Sequence, residues 1–300
     1  MKKILVIIGG PTCIGKSEIS IKLAKKFNSE IISSDSRQFY RELNIGVAKV
    51  PEKKLKEIKH HLINNTSIVN NYSIGDFQSD FYKVSKKIFK NKDLIFLCGG
   101  SGLYIDAVCK GFNKIPEINL KIRDTLNNDL KLKGLKNLTE RLKKYDIKSW
   151  EKIDLKNPRK VIRCLEVYYS TNKPISSFYN EKLQEKEFEC LYFSLNTKRE
   201  FLYENINNRV EKMIAQGLEN EVKSLIKFKN LKPLQTIGYK EFFEYFENKH
   251  SLENTISKIK QNTRRYAKRQ ITWFKSKKYL QVDISKIDLI EKIIKQKRGN

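Results

Sequence analysis

From Ile4 to Gly9 the chain reads ILVIIG, an unbroken apolar run of the kind a strand shows when both its faces are buried. The period then changes. Ile19, Ile21, Leu23, Ala24 and Phe27 fall roughly along one stripe of a helix running from Glu18 to Phe27. Glu30-Ile31-Ile32-Ser33-Ser34-Asp35 predicts a second strand that ends in polar residues. An irregular stretch with Gly46 and Pro51 follows, then a helical pattern from about Ile74 to Phe89. Leu94–Cys98 is a further buried strand, closed by Gly99-Gly100-Ser101-Gly102 and another helix. Strands alternating with helices predict a parallel sheet with helices on both faces. Ligands in such sheets sit beyond the carboxyl ends of the strands. Residues 10–17, Asp35 and residues 99–102 would share that edge.

From about 112 to 186 the pattern is lysine-rich and helical, without a convincing strand, and reads as an insertion. A strand returns at Phe188–Leu195. Beyond it the chain is helical, with stop signals at Gly217 and Gly238 and a long amphipathic stretch from about Leu252 to Ser276. The last dozen residues are basic and are expected to fray. The expected fold class is α/β. Residues 1–111 and 187–300 would form a P-loop NTPase-like parallel-sheet core, and residues 112–186 a helical insertion domain.

Candidate chemistry gathers at the predicted sheet edge. Gly10-Pro11-Thr12-Cys13-Ile14-Gly15-Lys16-Ser17 fits G-x-x-x-x-G-K-[ST], with a strand before it and a helix after it. A chance glycine turn is the alternative, and the strand–loop–helix context argues against it. In a phosphate cradle the backbone N–H groups and the helix N-terminus hold the phosphates. Lys16 adds a point charge, and Ser17 can ligate Mg²⁺. The loop implies a bound di- or triphosphate; it leaves open which one, and whether phosphate is transferred. Asp35-Ser36-Arg37-Gln38 lies just past the second strand. On its own Asp35 is open to three readings: a turn cap, a metal ligand or a general base. His60 and His61 are adjacent and point different ways, with no Cys or carboxylate set to complete a zinc site.

Composition sharpens this in places. Three hundred residues fit one large domain or two smaller ones, and 39% hydrophobic residues suffice for a core. No apolar run approaches the roughly 20 residues of a membrane span. Lys2, Lys3 and the short run after them read as the first strand rather than a signal peptide. Five cysteines with no C-x-x-C spacing read as reduced, mostly buried thiols of a cytosolic protein. The net charge of +27 invites a nucleic-acid partner. However, 49 of the 61 basic residues are lysines in a chain also rich in Ile and Asn, a pattern that AT-rich codon drift produces without selection for binding. The placement of the 12 arginines is therefore more telling, and five of them fall within 159–163 and 264–269. Arg264, Arg265, Lys268 and Arg269 read as a basic helix face, turned either to solvent alone or to nucleic-acid phosphates, with Tyr266, Trp273 and Phe274 turned to the core.

These segments, taken in order, carry a resemblance. They are GPTCIGKS at 10–17, EIISSDSRQFY at 30–40, NIGVAKVP at 44–51, HHLI at 60–63 and YSIGDF at 72–77. GGSGLYIDA at 99–107, NPRKVIRCLEVY at 157–168, RVEKMIAQGLENEV at 209–222, IGYKE at 237–241 and TRRYAKRQITWF at 263–274 complete the series. Over nearly its whole length the chain resembles the tRNA dimethylallyltransferase (tRNA isopentenyltransferase, or IPP transferase) family. Ser101 departs from the family's usual threonine, keeping the hydroxyl and losing the methyl.

The resemblance implies transfer of a dimethylallyl group from its diphosphate to the exocyclic amine of the adenosine 3′ to the anticodon. It implies Asp35 as the base, residues 10–17 as the diphosphate cradle, Lys16 and Arg209 on the diphosphate, and Mg²⁺ on Ser17. It places tRNA contacts at Asp35, Ser36, Arg37, Gln38, Ser101 and Arg123, and at Arg159, Lys160, Val161, Ile162 and Arg163. Arg264, Arg265 and Arg269 join them. The partners implied are the tRNA anticodon stem-loop and dimethylallyl diphosphate, for a cytoplasmic monomer with no membrane association. Two other classes share parts of the pattern. A small-molecule kinase would have the loop and carboxylate without needing the basic insertion. A non-catalytic RNA-binding NTPase-like protein would need neither Asp35 nor an allyl pocket.

Overall fold

A computed structural model describes residues 2–111, 115, 118–180, 186–276 and 278–299. The chain divides into two compact units, residues 1–110 with 186–300, and residues 111–185. The outermost parts of the expected insertion, 112–114, 116, 117 and 181–185, lie outside the described residues.

The first unit opens with β1 (Ile4–Gly9), α1 (Lys16–Lys26), β2 (Glu30–Ser33), α2 (Glu52–Glu57) and β3 (His60–His61). It continues with α3 (Ile74–Ile88), β4 (Leu94–Cys98) and α4 (Gly102–Lys110). The second unit holds α5 (Leu120–Tyr145), α6 (Ile147–Lys152) and α7 (Pro158–Thr171). The chain then returns to the first unit with β5 (Glu189–Asn196), α8 (Arg199–Ala215), α9 (Leu218–Ser224) and α10 (Tyr239–Phe246). It ends with α11 (Leu252–Phe274), β6 (Leu280–Asp283) and α12 (Asp288–Gly299).

The strands make one sheet in the order β3-β2-β4-β1-β5-β6, every pair parallel. β1 lies between β4 and β5, with Ile4 opposite Leu94 on one side and Glu189 on the other. Its residues still alternate. Ile4, Val6 and Ile8 pack with Ile19 and Leu23 of α1 and Ile290 and Ile294 of α12. Leu5 and Ile7 pack on the opposite face with Phe77 and Phe81 of α3 and Ile105 and Val108 of α4. With both faces covered, the period of two disappears from the sequence and only a continuous apolar run remains.

Local rules set the ends of α3. Ser73 Oγ accepts the Asp76 N–H (3.2 Å) and Asp76 Oδ2 accepts the Ser73 N–H (2.8 Å), a reciprocal cap that gives Asp76 a structural role.

Three expectations need correction. Gly238 opens α10 instead of closing a helix. Residues 280–283 form an edge strand, too short to show a periodicity. The described part of the expected tail, 288–299, forms a helix, α12, with Ile290 and Ile294 fully buried. Arg298 makes two hydrogen bonds to the carboxylate of Asp93 (2.7 and 2.9 Å), and Lys26 pairs with Glu291. The basic composition of this segment hid an apolar stripe.

The second unit has its own core, including Leu126, Leu138, Leu142, Val161, Leu165 and Val167. Within it Glu166 is wholly buried. Arg123 forks onto it through Nε and Nη2 (both 2.6 Å), and Arg163 Nη1 adds a third bond (2.8 Å). Burial alone would raise the Glu166 pKa. The two guanidiniums outweigh that effect and hold the carboxyl below its usual range.

Ile294→Ala is expected to lower stability by roughly 2–5 kcal/mol, as truncation of a buried isoleucine does. Urea denaturation followed by circular dichroism measures this. A change within about 0.5 kcal/mol, typical of a surface site, would mean that α12 contributes nothing to the core.

Candidate active site

β1 stops at Gly9 and α1 starts at Lys16, so residues 10–15 turn the chain at the carboxyl edge of the sheet. Gly10 takes φ +136°, and a Cβ there would lie 2.9 Å from the Leu195 carbonyl oxygen of β5. Only glycine fits both limits. No side chain caps α1, which leaves its first-turn N–H groups for a ligand. Thr12 is held from two directions: its N–H donates to Gln270 Oε1 (2.8 Å), and its Oγ1 accepts from Arg209 Nη1 (3.0 Å). The same Arg209 nitrogen reaches Cys13 Sγ (3.5 Å). Lys16 Nζ donates to the Pro11 carbonyl (2.7 Å), closing the loop from inside. Burial lowers the Lys16 pKa; Cys98, Asp35 and Cys13 act against the shift and Arg209 adds to it.

Ser33 of β2 pairs with Cys98 of β4, so the turns beyond these strands are neighbours. Asp35 Oδ1 accepts the Arg37 N–H (2.9 Å), the turn-capping role of an aspartate. Among the described residues no hydrogen bond engages Oδ2, so the cap leaves one carboxylate oxygen for other work. Ser101 Oγ accepts the Ser36 N–H (3.2 Å) and ties this turn to residues 99–102. Gln38 is buried, with its amide nitrogen 3.5 and 3.3 Å from the carbonyls of Val47 and Ala48. Tyr266 belongs to the same edge; burial, with Asp35 adding, pushes its hydroxyl up to about 12.

Residues of the phosphate loop, Asp35 and Gln38 line a cleft of about 190 Å³. Its lining mixes polar groups, among them Thr12, Lys16, Ser17, Ser33, Asp35, Gln38 and Arg209, with the apolar side chains of Ile31, Val47, Ala48, Val50 and Ile63. The loop carrying Val47 and Ala48 hangs from Glu221, whose carboxylate accepts the N–H groups of Asn44 (3.1 Å), Ile45 (2.8 Å) and Gly46 (3.0 Å). Tyr239 OH donates to the same carboxylate (2.6 Å). Burial raises the Tyr239 pKa and Glu221 raises it further, so the phenol stays a donor. Three segments distant in the sequence thus form one device that shapes the apolar wall. Lys49 braces it through the Tyr40 carbonyl (2.8 Å) and Asn44 Oδ1 (3.0 Å), with burial pulling its amine down to about 8.

His60 and His61 lie on edge strand β3. His60 Nδ1 is 2.7 Å from the Ile58 carbonyl, and His61 Nε2 is 2.6 Å from Glu30 Oε2. Among the described residues no group of three His, Cys, Asp or Glu side chains assembles a metal site. Cys98, Cys109 and Cys164 are buried, Cys13 and Cys190 partly so, and all five thiols are free.

The basic segments divide on inspection. On α11, Arg265, Lys268 and Arg269 are exposed, while Arg264 donates to Asn207 Oδ1 (2.8 Å) and lies over the Tyr203 ring. Of the aromatic residues assigned to the core, Phe274 is buried and Tyr266 half-buried, but Trp273 is 43% exposed. On α7, Arg159 and Lys160 are exposed. Val161 and Ile162 are buried in the apolar core of their unit, so their side chains are packing groups and not surface contacts. Arg123 and Arg163 are engaged with Glu166. Gln270 and Glu221 were not singled out from the sequence. Nothing local marks them, because their partners lie up to 258 and 177 residues away.

A glycine-lysine-serine loop between the first strand and first helix of a parallel sheet defines a P-loop α/β protein. A family model described as IPP transferase matches residues 38–277, and the chain belongs to that family. It is 42% identical over 279 residues to a tRNA dimethylallyltransferase of Flavobacterium johnsoniae, covering 91% of this chain and 90% of the relative. It is 43% identical over 275 residues to one of Christiangramia forsetii, covering 92% and 91%. A full-length tRNA isopentenylpyrophosphate transferase of Bacillus halodurans matches in structure with a TM-score of 0.72 and 35% identity, over 99% of this chain and 97% of that one. A eukaryotic dimethylallyltransferase acting on tRNA matches with a TM-score of 0.78 and 29% identity, over 94% and 74%.

The lowered Lys16 pKa gives a sign for pH dependence. The protonated amine favours a bound diphosphate, so affinity is lost as pH rises through the Lys16 pKa. The loss is expected to begin below the range of an ordinary lysine, about 10.4. Calorimetry of inorganic diphosphate binding across alkaline pH should show this limb in the wild type and not in Lys16→Arg, whose charge persists. The same limb in both proteins would assign the titration to another group.

Proposed function

We propose that this chain transfers the dimethylallyl group of dimethylallyl diphosphate to the exocyclic amine of the adenosine 3′-adjacent to the anticodon in tRNAs. The products are N6-dimethylallyladenosine and diphosphate. The observation that carries this reading is one cleft lined together by the phosphate loop, by apolar side chains and by Asp35, whose carboxylate has one unengaged oxygen. A phosphate loop alone serves many reactions. The apolar wall adds a place for a hydrocarbon chain, and Asp35 adds a proton acceptor.

The adenine amine is a weak nucleophile because its lone pair is delocalised into the ring. In the proposed step N6 attacks the allylic carbon, the bond from that carbon to the diphosphate oxygen breaks, and the N6 proton passes to Asp35 Oδ2. General base catalysis of this kind contributes roughly 10²–10⁴-fold. Negative charge grows on the departing diphosphate, where the loop N–H groups, Lys16 and Arg209 meet it in a partly buried site. Ser17 would offer its hydroxyl oxygen to Mg²⁺, a hard cation that takes oxygen ligands. Bound there, Mg²⁺ would neutralise charge on the leaving group.

The tRNA partner is read as its anticodon stem-loop, from which the target base must leave its stack at a cost of a few kcal/mol. Arg37, Gln38 and Ser101 adjoin Asp35 at the sheet edge, and we read them as the groups that meet that base. The exposed Arg265 and Arg269 are suited to the RNA backbone, and so are Arg159 and Lys160 of the second unit. No helix among the described residues is long and apolar enough to cross a membrane. We read the protein as a cytoplasmic monomer.

The test is transfer to unmodified tRNA from dimethylallyl diphosphate with Mg²⁺, followed by mass analysis of the nucleosides. Asp35→Asn keeps the oxygen that caps Arg37 and removes the base. It is expected to slow turnover by about 10²–10⁴-fold while tRNA binding persists. Equal rates would remove Asp35 as the base. No prenylated adenosine with the wild type on any tRNA would overturn the reaction.

A further inference from the structure

The phosphate loop and the Gly99–Gly102 turn are bridged by a side chain that the reaction above does not use. Gln270 sits on α11 and is only 6% exposed. Its Oε1 accepts the Thr12 N–H at 2.8 Å, and its Nε2 donates to the Gly100 carbonyl at 2.9 Å. A carboxamide is suited to this because it carries a donor and an acceptor side by side in one plane. The fit is tight: a Cβ on Gly100 would lie 2.2 Å from Nε2. Both partners are backbone groups, so the two bonds fix the path of the loops and do not merely occupy a side chain.

The consequence falls on the phosphate loop. Thr12 is the third residue of the phosphate loop, and with its N–H engaged by Gln270 and its Oγ1 by Arg209 it is clamped from both sides. The N–H groups that follow, leading into α1, then point in one fixed direction. A loop set before its ligand arrives loses less freedom on binding, which raises affinity.

We propose that Gln270 is a positioning residue that pre-forms the phosphate loop for diphosphate by joining Thr12 to Gly100. The proposal rests on the reading of this cleft as a diphosphate site. It does not require that the prenyl group go to tRNA. It also gives α11 two roles on two faces, since Arg265, Lys268 and Arg269 of the same helix are exposed while Gln270 points inward.

The experiment is calorimetric binding of inorganic diphosphate with Mg²⁺ to the full chain, wild type against Gln270→Met, which keeps the volume and removes both bonds. Two lost hydrogen bonds predict weakening of about tenfold or more. In the transfer assay the KM for the prenyl diphosphate should rise by a similar factor, and by more than the KM for tRNA. A general loss of structure would not divide the two substrates in this way. Diphosphate affinity within about twofold of the wild type would overturn the proposal.

If Gln270→Met fails to fold, Gln270→Glu serves instead. It is isosteric, accepts from Thr12 and donates to Gly100 only when protonated. Its affinity relative to the wild type should therefore fall at neutral pH and recover on acidification. A ratio that stays near one at every pH overturns the proposal as well. Wild type that binds diphosphate but does not prenylate tRNA removes the reaction and leaves this inference standing. Wild type that does not bind diphosphate removes both.

Discussion

Parallel pairing of all the strands forces each of them to end on the same side of the sheet. Loops from β1, β2 and β4 then meet although they are distant in sequence, and each brings a different chemical resource. The β1 loop brings backbone N–H groups and Lys16, the β2 loop a carboxylate, and the β4 loop a hydroxyl at Ser101. Parallel pairing also sets the core. With β1 and β4 buried on both faces, helices have to cover both sides, and α12 and α3 do so from opposite ends of the chain. The position of the site and the shape of the core follow from one choice of strand direction.

Around this edge the molecule combines electrostatic and apolar work. The cleft lining gathers Lys16, Arg209 and helix N–H groups, which would meet the charge of a leaving diphosphate. The apolar wall is carried on the loop at 44–50, which owes its shape to Glu221. That carboxylate is not among the groups that line the cleft. It still decides where Val47 and Ala48 stand. The same logic holds in the second unit, where Glu166 takes up two arginines in building a fold.

Much of this was legible in the sequence, and the exceptions share a cause. Residues 10–17 could be read because a phosphate loop is local: its strand, turn and helix are contiguous. Asp35 could be read as a turn cap, a metal ligand or a general base, and the structure shows the cap, which occupies one oxygen of its carboxylate. Gln270 could not be read, since a glutamine in a basic helix looks like any other until Thr12 and Gly100 are brought beside it. Val161 and Ile162 were grouped with their charged neighbours by motif, although a helix turns successive residues to different sides and buries these two. α12 was mistaken for a loose tail because charge dominated its composition, while two isoleucines four residues apart carried the structural information. β3 and β6 are too short for any period to appear.

The place of β1 in the sheet has a consequence for how the chain is made. It is made before the other strands of this sheet, yet it belongs in the interior, with β4 on one side and β5 on the other. Once β4 has been synthesised, residues 111–185 must follow before β5 exists. At about 5–20 residues per second that interval lasts on the order of five to twenty seconds. Throughout it, one edge of a wholly apolar strand has no partner, and such an edge is a template for pairing with other chains. A nascent chain of this design spends its longest wait in its most adhesive state. Any truncation before residue 189 leaves that edge permanently open.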